Sequence, residues 1–465
     1  LLLPLAMAGI VHILLRWTTL SALLAVGTAL VLSVAVIALP LDQPSTLWGS
    51  RQIAMGESVT FLGRELVLKQ ADRLAMAFLF LSAAGVFFLA WRFAQRSLLF
   101  PMGLALLGLL SGALLIRPLI YAVLLIEIAA ALAVFALQTE GRLPTRGGLR
   151  YLTFTTLALP GLLVTHWLLE RYAVTPDETG LLGTATALLA VSFALLLGVA
   201  PFHSWVTAMF EENSVPLAGA FVLTIGNGAV WFLLLDFLET YPWLSGHPHF
   251  GSLISAAGLL MVIGGALLAA AQHRLGALLG YAALGDTGAT LIALGLNSRV
   301  GLTLALLSLA LRSFGLILLA GGLSGLRAQN GGSDDLDTLR GIGWKAPWST
   351  AALLFGGLSI AGLPVSAGFA GRWALCRVLV SSQPITALFL VLAGAGVMAG
   401  VWRTLSILLT HSSTPKAGNV QGSSEGWLTA LAVIVAILVC VGAGLFPQTI
   451  APLATHLAEM YTFTK

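Results

Sequence analysis

The sequence predicts an all-α integral membrane protein of about fourteen transmembrane helices, and three observations carry that prediction. Of 465 residues, 58% are hydrophobic and 9% are charged, whereas soluble globular chains hold about 25% charged residues. Apolar runs of spanning length follow one another with short connections, which leaves no long polar stretch for a soluble domain. Two of the runs are interrupted: residues 200–221 read APFHSWVTAMFEENSVPLAGAF and residues 359–373 read SIAGLPVSAGFAGRW. Proline removes a backbone donor and breaks the helix ladder, so the freed carbonyls must face protein or water and not lipid. Paired interruptions in the two halves of a membrane chain point to a transport site between inverted repeats. Loops joining separate helices are the plainer alternative.

Taken in order, the apolar runs cover about 1–15, 18–40, 73–91, 97–116, 118–138, 150–170, 181–212, 214–238, 252–271, 276–297, 300–325, 347–380, 384–408 and 426–446. The first residues, LLLPLAMAGIVHILLRW, lack a basic n-region and a small-residue cleavage site, so they read as a first span and not as a signal peptide. The longest polar connection, residues 41–72, contains the alternating run SVTFLGRELVL around Gly63 and suits a small hairpin on the membrane surface. Residues 327–341, RAQNGGSDDLDTLRG, read as a solvated connector.

With the N-terminus outside, the short inner loops carry Arg16, Arg92, Arg96, Arg142, Arg146, Arg150 and Arg274, against Arg117, Arg171 and Arg299 on the other side. The positive-inside rule therefore favours both termini outside and the 327–341 connector inside. The net charge of +4 comes from 23 basic and 19 acidic residues scattered over many loops, with no basic cluster for nucleic acid. No Gly-rich phosphate loop follows a strand, and no HExxH, cysteine cluster or Ser/His/Asp arrangement is legible. Cys376 and Cys440 sit in apolar segments without metal or disulfide spacing and read as packing residues.

Charges inside spans cost several kcal/mol unless paired or wetted, so they are functional candidates by default. They are Glu127 in PLIYAVLLIEIAAALAVFAL, Asp286 in LLGYAALGDTGATL, Arg312 in LLSLALRSFGLILL, Arg372 after the second interruption and Arg403 in MAGVWRTLSILL. For each, the plain alternative is an ion pair or capping bond that locks helices together, and Arg403 also has the option of snorkelling to the inner surface. His203 stands in the first interruption, where a structural histidine is the ordinary reading and contact with a water path the functional one.

These residues carry a family resemblance. APFHSWVTAMFEENSVPLAGAF resembles the proline, aromatic, histidine and tryptophan segment, followed by a second proline, that the antiporter-like subunits of respiratory complex I share with Mrp-type cation/proton antiporters. AAAQHRLGALLGYAALGDTGATLIALGL is similar to their next signature, and SIAGLPVSAGFAGRWAL to their later GLP…GF…K motif. The motifs occur in the family's order and spacing, and the resemblance covers essentially the whole chain.

The resemblance implies two inverted five-helix repeats, each with a discontinuous helix, and proton conduction along a central polar axis. It divides the chain into an N-terminal part with the surface hairpin (1–96), a first repeat (97–240), a second repeat (250–410) and a C-terminal helix and tail (424–465). By motif position the proton pathway is Glu127, His203, Asp286, Arg312 and Arg372, with Ser308 where the family has a further histidine. Two lysine positions of the family fall on Leu196 and near Gly226, beside Asn227. Leucine and glycine do not titrate, and arginine holds its proton, so the lysine relay is degenerate. Glu127→Gln is accordingly expected to be mild, and Arg372→Ala more harmful.

The function so implied is that of a non-catalytic membrane-arm subunit of a complex I-like, proton-translocating NADH:quinone oxidoreductase, in a bacterial inner (plasma) membrane. It would bind neither NADH, flavin, iron–sulfur cluster, metal nor a soluble substrate, since no residue offers a cofactor site, and its partners would be other membrane-arm subunits and the lipid bilayer. The alternatives are a subunit of an Mrp-type cation/proton antiporter or related ion-uptake complex, and a transport-silent structural subunit.

Overall fold

In a chain this apolar the backbone N–H and C=O groups have little water to turn to, and the α-helix is the ladder that satisfies them within one segment. The computed structural model describes residues 1–38, 44–46, 52–54, 59–61, 63–93, 98–138, 146–175, 180–211, 215–410 and 425–463, and most of them are helical. Arg96, Arg142, Glu212 and parts of the 41–72 connection lie outside the described residues.

The chain opens with α1 (Leu2–Ile13) and α2 (Thr18–Ala38), then the paired strands β1 (Pro44–Thr46) and β2 (Gln52–Ala54). The hairpin expected around Gly63 follows as β3 (Val59–Phe61) and β4 (Arg64–Leu66), with Gly63 at φ +74, a conformation that suits glycine. After α3 (Gln70–Phe93) and α4 (Leu99–Leu115), the two-residue β5 (Ile116–Arg117) pairs with β4, and the Arg64 guanidinium lies 4.0 Å over the Tyr121 ring. Next come α5 (Ile120–Ala136), α6 (Arg146–Val174), α7 (Gly180–Leu197), α8 (Ser204–Glu211) and α9 (Pro216–Phe221). A π-helical turn (Val222–Gly226) leads directly into α10 (Asn227–Thr240).

The second half holds α11 (Phe250–Ala271), α12 (Leu275–Gly295), α13 (Arg299–Gln329), α14 (Pro347–Ala361), α15 (Ala367–Ser382) and α16 (Pro384–Leu409). It ends with α17 (Trp427–Leu445) and α18 (Ala451–Glu459). Among the described residues ten helical segments are long and apolar enough to cross a membrane, accompanied by the shorter apolar helices α1, α4, α5 and α14. The apolar windows of Pro216–Thr240 and α12 are each 89% buried, against 28% for α6 and α17, so the first two form the centre and the last two the rim. Glycines set the closest approach: a Cβ on Gly258 of α11 would stand 2.6 Å from the Gly288 carbonyl of α12.

The 327–341 connector differs from its reading as a solvated loop. Asp334 is 3% exposed, and Leu336 and Leu339 are buried with it. Arg327 at the end of α13 pairs with Asp334 and donates to the Phe210 carbonyl at 2.6 Å, while the Gly276 N–H donates to Asp334 at 3.0 Å. The connector thus clamps the end of α8 and the start of α12. Of the two plain readings of Arg403, the capping bond is the one seen: its guanidinium donates to the Gln272 carbonyl at the end of α11.

The C-terminal tail docks at the other end of these helices, where Thr462 donates to Glu239 and Ser245 to the Phe463 carbonyl. Cysteines at Ser333 and Thr464, the latter outside the described residues, are expected to label from opposite sides of the membrane. Labelling of both from one side would overturn the arginine-based topology.

Candidate functional site: two helix breaks and a buried charge group

The first break lies where Pro201 predicts it. Helix α7 stops at Leu197, Gly198 takes φ +68, and α8 resumes at Ser204. Breaking a ladder orphans carbonyls, and two are re-satisfied here: Val199 N–H donates to Ala194 O at 2.8 Å and the Trp205 indole N–H to Leu195 O at 3.2 Å. Gly198 is required twice over, by its φ and because a Cβ there would meet the Val206 side chain at 2.7 Å. His203, half-buried in this break, has its ring 6.5 Å from that of Tyr281 on α12. Its Nδ1 is buried and makes no hydrogen bond with a described group.

The second break separates α14 from α15. Gly362 closes α14 in the left-handed region (φ +72), and the Leu363 N–H returns to Leu358 O at 3.0 Å, a glycine-type helix stop. Val365, β-branched and at φ +72, is held in strained backbone within the break. The Gly368 N–H at the start of α15 donates back to the Ser359 hydroxyl at 3.1 Å. Arg372 then reaches across: Nη1 donates to Ala361 O at 3.0 Å, and Nη2 lies 3.4 Å from Asp286 Oδ1. A Cβ on Gly362 would stand 2.4 Å from Arg372 Cδ, so the glycine makes room for the arginine stem.

The third component is the π-helical turn. Its wide winding loosens the ordinary ladder, and the Leu223 carbonyl within it accepts from Arg312 Nη2 at 2.9 Å. Arg312 Nη1 donates to Thr287 Oγ1 at 3.1 Å, next in sequence to Asp286. Asp286 therefore lies within the electrostatic reach of two guanidinium groups, Arg372 in contact and Arg312 beyond it. Three predicted residues from α12, α13 and α15 are thus brought together as one group, Arg312 buried and Asp286 and Arg372 mostly so.

Glu127 is not part of that group. Its Oε1 accepts from Thr156 of α6, its Oε2 is buried without a hydrogen bond, and no described basic side chain is within ion-pair distance. Leu196 is 5% exposed and Gly226 lies in the π-helical turn, and neither position offers a titrating group. Among the described residues no three His, Cys, Asp or Glu side chains are arranged to hold a metal.

Several polar groups escaped the reading of the sequence. Arg117, taken as a loop cation, has Nη2 2.9 Å from Asp236 and 3.7 Å from Asp72, both carboxylates nearly fully buried. Asp236, within FLLLDFLET, is the signal that was available, since it interrupts an apolar run. Burial, with the neighbouring Asp236 and Asp72 carboxylates adding to it, pushes the Tyr461 hydroxyl of the tail well above the ordinary phenol range. Asn227 is 3% exposed with neither amide atom hydrogen-bonded in the structure.

Residues 154–398 match the family described as NADH:quinone oxidoreductase/Mrp antiporter, TM. NADH-quinone oxidoreductase subunit N 1 of Solidesulfovibrio magneticus is 31% identical over 334 residues, 68% of this chain and 70% of that protein. NADH-quinone oxidoreductase subunit N of Methylococcus capsulatus is 30% identical over 284 residues, 60% of this chain, and the chain spans only 56% of that relative's length. In fold, the chain is similar to a chain of the Mrp complex from Dietzia sp. (TM-score 0.76, 18% identity, covering 98% of this chain and 95% of that one). It is similar also to a chain of respiratory complex I from Thermus thermophilus with bound NADH (TM-score 0.72, 22% identity, 99% of both).

Proposed function

We propose, from the premise that this chain belongs to the NADH:quinone oxidoreductase/Mrp antiporter transmembrane family, that it is a membrane-arm subunit of a complex I-like NADH:quinone oxidoreductase and takes part in redox-coupled proton translocation. The observation that carries the mechanistic part is the mostly buried Arg312–Asp286–Arg372 group at the second break, built from three helices and the π-helical turn. Charges this deep in an apolar chain are costly, and a broken helix beside them is the usual construction of an ion path.

In this reading the chain makes fourteen spans, with α7 and α8 forming one discontinuous span, α9 and α10 another continuous one, and α14 and α15 the second discontinuous span. Residues 97–240 and 250–410 are the two inverted repeats, each with its break in the fourth of five spans, flanked by 1–96 and 424–465. Glu127 and His203 line the first half of the path, Asp286, Arg312 and Arg372 the second. Because Leu196 and Gly226 do not titrate, protons move through water and hydroxyls and not through a lysine relay. Arg372 and Arg312 keep their protons and act by holding Asp286 and polarising water. The neighbours are other membrane-arm subunits, in the bacterial inner membrane in which the named relatives' organisms would hold them.

The second reading, an Mrp-type antiporter subunit, draws on the same family description and on the similarity of fold to a chain of an Mrp complex. The proteins that copurify with the chain from native membranes discriminate the two. Quinone- and iron–sulfur-bearing subunits are the expected result, and a set of small multi-span antiporter subunits would overturn the first reading in favour of the second.

A further inference from the structure

Arg377 is a charge in an apolar run, WALCRVLVS, that no contact within the chain explains. It is exposed and makes no hydrogen bond or ion pair with a described residue, unlike Arg312, Arg372 and Arg403. Helix α15 packs against α13, α14, α16 and α17 and buries Gly371, Leu375, Cys376 and Leu379. Trp373, Arg377 and Val380 follow at i, i+4 and i+7 and form an exposed stripe on its other side. The stripe continues back through Phe369, whose ring stacks on Trp373 with centroids 5.9 Å apart, towards the second break. There Pro364 is exposed, Val365 is 54% exposed, and neither the N–H nor the carbonyl of Val365 hydrogen-bonds to a described group. Helix α14 supplies 15 residues before this break and α15 16 after it, which sets the break at membrane depth.

Irregular backbone at that depth does not face lipid; it is covered by protein or lines a water-filled cavity. A surface of proline, valine, phenylalanine and tryptophan suits a protein neighbour and not a water cavity. A guanidinium on the same surface then needs an anion. The Cα–Cβ bonds of α15 tilt towards its N-terminus, so the Arg377 side chain sets out towards the break and away from the nearer helix end at Ser382. A lipid phosphate beyond that end is therefore the poorer partner. We propose that the face made by Val365, Phe369, Trp373 and Arg377 docks a neighbouring membrane chain whose helix carries a carboxylate opposite Arg377. The planar guanidinium fits a carboxylate with two parallel hydrogen bonds. The neighbour closes over the break from which Arg372 reaches Asp286.

The inference rests on the proposed function only in taking the neighbours to be membrane subunits, and its test is separate from copurification. Photoreactive p-benzoylphenylalanine replaces Trp373 in the complex assembled in native membranes. The expected product is a crosslink to one neighbouring subunit, in a segment with an Asp or Glu inside an apolar run. Crosslinks to lipid alone, to a second copy of this chain, or to a segment without an acid overturn the proposal. Arg377→Leu then separates the sources of the anion. On a lipid-facing helix leucine is tolerated, whereas opposite a carboxylate it leaves that group unpaired. Retention of the crosslinked subunit through detergent extraction is expected to fall at least about tenfold, and native retention overturns the pairing. Arg377→Glu, combined with arginine in place of the neighbour's acid, is expected to restore retention, which an arginine that merely packs would not show. Should Arg377→Leu not accumulate, this exchange decides, and failure of the paired variant to regain the neighbour overturns the proposal. Complex I-like subunits that copurify while Trp373 crosslinks only lipid overturn the inference and leave the function standing. An antiporter set that copurifies with the crosslink intact does the reverse.

Discussion

Arg327→Ala is expected to destabilise the chain by about 3–5 kcal/mol, the cost of removing one partner from a buried ion pair. The Arg327 and Asp334 side chains are 7% and 3% exposed, so neither has water as an alternative. Without the guanidinium, Asp334 keeps only the Gly276 N–H and a half-exposed Arg274 at 3.6 Å, and the Phe210 carbonyl loses its donor. The outer pair of the same network, Arg274 with Glu211 at 3.0 Å, is exposed enough to contribute little, and Glu211→Gln is expected to be nearly silent. Denaturation of the purified chain in mild detergent measures both. Replacing the buried pair together, Arg327→Met with Asp334→Leu, should cost less than Arg327→Ala alone, because no unpaired charge remains. A native-like midpoint for Arg327→Ala would show that the connector does not hold α8 and α12.

The second large effect is expected at Arg372. Arg372→Ala leaves Asp286 buried without its contact cation and Ala361 O, at the end of α14, without its donor. Both losses fall at the second break, so assembly and the proton-to-electron ratio should drop together. Arg372→Lys keeps a charge but places a single nitrogen where two guanidinium nitrogens serve partners at 3.0 and 3.4 Å, and an intermediate ratio is expected. Adding Asp286→Asn to Arg372→Ala removes the unpaired carboxylate and should recover assembly without recovering the ratio. By contrast, Glu127→Gln should leave the ratio close to native, since the amide oxygen can still accept from Thr156 and no cation is left unpaired. Loss of a whole proton in Glu127→Gln, with assembly intact, would show that this carboxyl itself carries the proton.

The candidate site was legible in the sequence one residue at a time. Asp286, Arg312 and Arg372 each stood out as a charge in an apolar run, and the two breaks announced themselves through Pro201 and through the glycines around Pro364. Their joining was not legible. A helix that is apolar around its whole circumference carries no stripe to mark the face it buries, so nothing in the pattern of α12 said which neighbour Asp286 would meet. Asp236 was overlooked for the opposite reason. Its partner Arg117 reads as an ordinary loop arginine, and only the return of β5 and the packing of α3 beside α10 bring the three charges together.

What the sequence determined by itself was the class of solvent the chain lives in, the order and approximate bounds of its helices, and the places where two of them must break. Each of these follows from local chemistry: the scarcity of charge, the length of apolar runs, and the missing donor of proline. Only the tertiary structure decided that Leu223 O is Arg312's acceptor, that a supposedly solvated connector buries Asp334, and that the Tyr151 hydroxyl stands against the empty side-chain position of Gly226. Those are contacts between residues 58 to 89 positions apart, fixed by how helices of nearly uniform surface fit against one another, where a single glycine or a single turn of π-helix decides which polar groups meet.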